Sequence, residues 1–136
     1  MTARTLTNEE LQIMNMFEQN TGARAEDVVI ATDSVVFVVQ KGDLGRAIGK
    51  HGANIERLHR VFGREVEVVE NSDEIGEFVG NLFRPATIER LDNANGTVTI
   101  KVADKDKGLA IGRGGKRVNR ARMLLKRLFD SELRVV

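Results

Sequence analysis

The chain contains no cysteine, tryptophan or tyrosine, one proline and two histidines among its 136 residues. Without cysteine there is no disulfide framework and no thiolate metal site. His51 and His59 stand eight residues apart with no third ligand in a recognisable spacing, so a metal centre is not expected. No apolar run approaches the length of a membrane span. The first six residues, Met1-Thr2-Ala3-Arg4-Thr5-Leu6, lack the apolar core of a secretory signal. A cytoplasmic protein with no membrane partner is the expectation.

Two enzyme classes are excluded by pattern. A phosphate-binding Walker loop needs a glycine five positions before Gly-Lys and a hydroxyl after it. Before Gly49-Lys50 that position holds Leu44 and His51 follows; before Gly115-Lys116 it holds Ala110 and Arg117 follows. The dinucleotide pattern fails too, because Gly112-x-Gly114 meets Arg117 where its third glycine belongs. No nucleophile has a convincing base. The protein therefore reads as a binding protein without cofactor, not as an enzyme.

Hydrophobic residues make up 41% of the chain and charged ones 30%, an ordinary globular balance. The net charge of +1 conceals a strong segregation. From Arg113 to Arg127 there are seven cations and no acid, and from Glu65 to Glu77 six acids and no base. Such a division gives a molecule with a basic face, the footprint of a polyanion partner.

The informative feature is a repeat. Ala47-Ile48-Gly49-Lys50-His51-Gly52-Ala53-Asn54-Ile55 returns in register as Ala110-Ile111-Gly112-Arg113-Gly114-Gly115-Lys116-Arg117-Val118, an offset of 63 residues. Each copy has an Ile, two glycines bracketing two residues, a cation after the first glycine and a β-branched residue three positions past the second. The flanking patterns also repeat. Thr7 and Glu10 form a capping box for a helix through Leu11, Met14 and Phe17, ending at Gly22. Strands follow at 27–30 and 35–39, a short helix at 44–48, a helix at 53–62 and a strand around Val66 to Val69. In the second half Ser72 or Asp73 starts a helix that Pro85 ends, with strands at 86–91 and 97–102 around an Asn95-Gly96 turn. A short helix reaching Ile111, a helix at 116–129 and a strand at 133–136 complete it. Asp43, and Asp104 or Asp106, read as caps of the short helices. Both halves thus follow the order α-β-β-α-turn-α-β. The division falls near Asn71, giving domains at 1–71 and 72–136, and each half alone would hold a marginal core, so the two are expected to pack together.

A glycine turn opening a helix leaves amides without intrahelical partners, and the helix dipole behind them favours an anion. The glycines also allow a sugar-phosphate chain close approach to the backbone. Lys50 and Arg113 can add charge-assisted contacts to phosphate, with His51, Gly114, Lys116 and Arg117 beside them. Ile48 with Ile55, and Ile111 with Val118, can form an apolar floor under bases, or can belong wholly to the core.

This constellation resembles the KH module of RNA- and single-strand-binding proteins, whose GXXG loop clamps the nucleic-acid backbone. The element order is similar to its type II variant. The pattern I-G-x-x-G-x-x-I-x-x-L is met by Ile48, Gly49, Gly52, Ile55 and Leu58; the second copy meets it through Ile111, Gly112, Gly115 and Val118 but ends on Ala121. Gly114 is an additional glycine in the second turn, expected to loosen it. Two such modules in tandem resemble the paired KH region of the NusA family, above all its short archaeal members, over about residues 5–136.

The resemblance implies an α+β protein of two type II KH domains, each a three-stranded mixed sheet with helices packed on one face. It implies binding of single-stranded RNA as nascent transcript, a role in transcription termination or antitermination, and contact with RNA polymerase. A monomer is expected. A factor of ribosome assembly or translation, or a protein-interaction adaptor, is the alternative. With six Phe and no Tyr or Trp, aromatic stacking platforms are expected to be absent.

Overall fold

The computed structural model describes residues 5–136; Met1 to Arg4, including the start of the first expected domain and of the N-terminal segment read above, lie outside the described residues. Two compact units divide between Ser72 and Asp73. The first runs α1 (Asn8–Thr21), β1 (Ala25–Ile30), β2 (Ser34–Val39), α2 (Leu44–Ile48), a single 3₁₀ turn, α3 (Ala53–Phe62) and β3 (Glu65–Glu70). The second runs α4 (Ile75–Phe83), β4 (Ile88–Ala94), β5 (Thr97–Val102), a 3₁₀ turn, α5 (Lys107–Ile111), a second such turn, α6 (Lys116–Phe129) and β6 (Glu132–Val135).

Each unit carries one three-stranded mixed sheet. β2 is central, antiparallel to β1 and parallel to β3; β5 is likewise antiparallel to β4 and parallel to β6. The parallel pairing follows from chain economy, since the intervening helix returns the chain to the start of the sheet. In the first unit Val28, Val35, Phe37, Val39 and Val66 meet Met14 and Phe17 of α1, Ala47 of α2 and Leu58 of α3. The Phe17 and Phe37 rings stack at 4.1 Å, and Phe62 tilts onto Phe37 at 5.8 Å. In the second unit Val98, Ile100 and Val102 alternate inward along β5, and Phe78 of α4 lies 5.3 Å from Phe129 of α6.

Local chemistry explains most boundaries. Thr7 Oγ1 accepts from the Glu10 amide while Glu10 Oε1 accepts from the Thr7 amide, so the capping box forms as expected. Gly22 and Gly63 end α1 and α3 in the left-handed conformation. Other expectations require correction. Glu74, not Ser72 or Asp73, starts α4, its carboxylate accepting from the Gly76 and Glu77 amides. β4 begins two residues later than its apolar run and continues through the polar Asp92 and Asn93, because pairing with β5 overrides their poor strand propensity.

Asp43 and Asp106 do not cap the short helices. Asp43 Oδ2 accepts from the Arg24 amide at 2.8 Å, and Asp106 Oδ2 from the Thr87 amide at 2.9 Å, in each case 19 residues away. The same carboxylate thus ties the helical turn region of each unit to the approach of its first strand. A short helix offers little dipole to a cap, whereas the strand approach presents an otherwise unpaired amide. Among the described residues no helix is long and apolar enough to cross a membrane.

Candidate nucleic-acid interface

Backbone geometry makes the two glycine turns the same object. Gly49 has φ 78°, ψ 168° and Gly112 has φ 78°, ψ 170°. Gly52 and Gly115 match equally well, at 75°, 14° and 77°, 12°. Between them His51 (56°, 28°) and Gly114 (63°, 22°) occupy the left-handed region. Gly114 is therefore the residue the position asks for. His51 holds the same angles against the repulsion between its Cβ and the backbone.

The first glycine of each turn is demanded twice over. Its angles lie where only glycine is at ease. A Cβ at Gly49 would also stand 2.9 Å from the Asn54 amide nitrogen, and one at Gly112 would stand 2.8 Å from that of Arg117. The second glycines meet no such crowding: nothing lies within 4 Å at Gly52, and Asn119 Nδ2 lies at 3.5 Å from Gly115.

Braces hold each turn from behind. Asn54 Nδ2 donates to Arg46 O at 2.9 Å, and Arg57 reaches the end of α1 at Asn20 O, 3.0 Å away. In the second unit Arg117 Nη1 donates to Arg84 O, 3.1 Å away, at the end of α4. Arg117 is thus committed to a neighbouring carbonyl and half-buried, a structural duty that its place in a cationic run does not reveal.

The face of each turn is open. Neither α3 nor α6 has a side-chain cap, so the positive end of each helix dipole meets solvent. Part of the amide supply is used internally: Gly52 N–H donates to Gly49 O and Ala53 N–H to Lys50 O, with Gly115 and Lys116 doing the same in the second copy. The side chains of Lys50, His51 and Arg113 are exposed, and no side-chain hydrogen bond or ion pair engages them among the described residues. Lys116 is exposed beside them.

The four aliphatic residues separate into two pairs. Ile48 is 37% exposed and Ile111 43%, unusual for isoleucine beside a core. Ile55 is half-buried against the first core, and Val118 is 7% exposed. The isoleucines before the first glycines are available as a floor, while Ile55 and Val118 anchor their helices to the sheets.

The cationic run of α6 is only partly available. Lys126 Nζ sits 3.2 Å from both Asp130 Oδ1 and Glu132 Oε1, and these carboxylates, Asp130 foremost, raise its pKa above 10.5. Arg122 Nη1 donates to Asn119 Oδ1 at 3.3 Å. Among the described residues no group of three His, Asp or Glu side chains could hold a metal ion.

Comparison with known proteins follows the same lines. The profile of the KH domain matches residues 12–89, which takes in the first glycine turn and stops short of the second. A probable transcription termination protein NusA of Halobacterium salinarum is 37% identical over 133 residues, covering 96% of this chain and 95% of that protein. The protein of the same name from Halococcus morrhuae is 35% identical over 129 residues, 93% of both chains. The one from Methanocaldococcus jannaschii is 32% identical and is covered over 69% of its length. The crystal structure of APE1850 superposes with a TM-score of 0.80 at 39% identity, covering 96% of this chain and 100% of that one. The chain belongs to the KH-domain family, and within it to the family of these relatives that bear the name NusA.

Proposed function

We propose that this is a single-stranded RNA-binding protein built of two type II KH domains, divided near residue 72, that acts on nascent transcript in transcription termination or antitermination. The observation that carries the reading is the duplication of one turn geometry to within a few degrees, each copy opening an uncapped helix beside an exposed cation and an exposed isoleucine. The relatives' name supports the transcriptional role.

In this mechanism no bond is made or broken and no cofactor takes part. The helix dipoles, with Lys50, His51, Arg113 and Lys116, hold phosphates. The missing side chains of Gly49, Gly52, Gly112, Gly114 and Gly115 let the sugar-phosphate chain approach, while Ile48 and Ile111 lie under unstacked bases. Ile55, Arg117 and Val118 contribute by keeping the turns in place. Either turn alone binds weakly; joining them on one chain raises avidity through effective concentration.

The test is titration of the protein with single-stranded RNA. Replacing Lys50 and His51 by Asp, or Arg113 and Gly114 by Asp, places negative charge where phosphate would sit; Asp tolerates the left-handed angles of positions 51 and 114. Each pair should lower affinity, and binding to the unmodified protein should weaken steeply with salt. Unchanged affinity in both variants would overturn the reading. Retention by an elongating RNA polymerase only after transcript has emerged is the expected result for the transcriptional role. Association with ribosomal subunits instead would assign the protein to translation or ribosome assembly.

A further inference from the structure

The sheet of the second unit has a face that the RNA-binding reading does not use. Val98, Ile100 and Val102 of β5 and Leu133 of β6 are buried on the side of α4 and α6. The alternate residues point the other way, and the strand register places them together. Arg90 lies directly opposite Lys101, Asp92 opposite Thr99, and Thr99 opposite Arg134. A cavity of about 200 Å³ opens on this face, lined by Arg90, Asp92, Thr99, Lys101 and Val136.

Two features of this cavity call for a ligand. Like charges placed directly across an antiparallel pair repel, yet Arg90 and Lys101 hold that position on an open surface. The nearby acid does not remove the conflict: Asp92 Oδ2 takes the Arg90 Nε at 3.2 Å, which aims the guanidinium and leaves its two terminal nitrogens uncommitted to that contact. Lys101 and Arg134 are exposed, and no side-chain hydrogen bond or ion pair to a described residue engages either. Arg90 and Lys101 thus line the cavity beside Thr99, and Arg134, opposite Thr99 in the register, carries the cationic face onto the third strand, a setting for an anionic group.

The surroundings select which anion-bearing molecule. No aromatic side chain stands on this face, so unstacked bases find no platform. Val136 is 50% exposed, and the threonines of β5 add methyl groups. Cations set among small apolar groups suit a carboxylate on a peptide better than a nucleotide. The face is also on the opposite side of its sheet from α4 and from α6, the helix that the glycine turn opens. The geometry points to a docking site for an acidic protein segment on the open face of β4, β5 and β6, with a carboxylate seated between Arg90, Lys101 and Arg134. RNA held on the turn leaves this face unoccupied, so both partners bind one molecule at once.

The experiment is a fluorescence-anisotropy titration of the full chain with a labelled oligoglutamate peptide at low salt, with labelled oligouridine RNA in parallel. Lys101→Glu and Arg134→Glu should each weaken peptide binding about tenfold or more and leave RNA affinity unchanged. Lys101→Glu should also raise the urea midpoint, because it converts the like-charge pair with Arg90 into an opposite one. A loss of binding therefore coincides with a gain in stability, which misfolding cannot imitate. Replacing Arg113 and Gly114 by Asp should spare the peptide. No binding of oligoglutamate by the unmodified protein, or equal binding by both glutamate variants, overturns the proposal. Loss of RNA affinity in Lys101→Glu with no peptide binding would make the face an RNA surface and overturn it as well.

Discussion

Gly49→Ala and Gly52→Ala bracket the same turn and carry similar positive φ, yet they should differ severalfold in cost. At Gly52 the angles are those of the left-handed region, and a Cβ meets nothing within 4 Å. That conformation costs an alanine about 1–2 kcal/mol, and the stiffer unfolded chain returns about 0.4–1 kcal/mol. The net loss should be about 1 kcal/mol. At Gly49 the angles are 78° and 168°, a region alanine enters at about 1–3 kcal/mol. The new Cβ would also stand 2.7 Å from Asn54 Cγ and 2.9 Å from the Asn54 backbone nitrogen. The side chain of Asn54 can move only by surrendering its bond to Arg46 O, and the backbone nitrogen can move only by shifting the first turn of α3. Overpacking of this kind adds about 1–3 kcal/mol, and after the same return from the stiffer unfolded chain the net loss is roughly 1–5 kcal/mol, centred near 3. Urea unfolding followed by far-ultraviolet circular dichroism measures both. Asn54→Ala should fail to rescue Gly49→Ala, because the backbone nitrogen remains. Equal costs at the two glycines, or rescue by Asn54→Ala, would refute the argument.

Four further outcomes are expected. His51→Gly should raise stability by a few tenths to about 1 kcal/mol and Gly114→Ala should lower it by a similar amount, since both positions are left-handed; denaturant midpoints decide. Asp43→Ala should cost about 1.5–3 kcal/mol by removing a part-buried, charge-assisted bond to the strand approach, and Asp106→Ala less at its more exposed site; the same unfolding assay applies. Phe37→Ala should cost about 3–5 kcal/mol, as Phe37 is fully buried between Phe17 and Phe62. Because Asp130 and Glu132 raise the Lys126 pKa, its stabilising contribution is complete below pH 10.5 and fades as pH rises through the raised value. Lys126→Met should flatten that alkaline dependence in thermal melts.

Much of this architecture could be read from one strand of text because its determinants are local. Helix α3 and helix α6 end where the periodicity and the following residues say they should, and the capping box at Thr7 needs only four residues. The glycine turns were legible for a second reason: duplication in register separates a required glycine from an incidental one. Partners that lie far along the chain are not legible in a local pattern. Asp43 and Asp106 look like caps from their neighbours, but their partners stand 19 residues earlier. Arg117 looks like one more phosphate ligand, and its Nη1 also donates to Arg84 O, a brace that its neighbours in sequence do not announce. Gly114 takes the angles that His51 adopts in the first turn, a match that only the backbone shows.

The division between the two levels has a physical basis. Backbone conformational preference and hydrophobic periodicity act over a few residues, so the amino-acid sequence by itself determined the repeat, the element order and the turns that open α3 and α6. Exposure and pairing depend on which segments meet in space. Only the tertiary structure decided that Ile48 and Ile111 stay open while Ile55 and Val118 are drawn toward the cores. It alone placed Arg90 against Lys101, since that meeting is set by the register between β4 and β5 and its bulge, which no local pattern specifies.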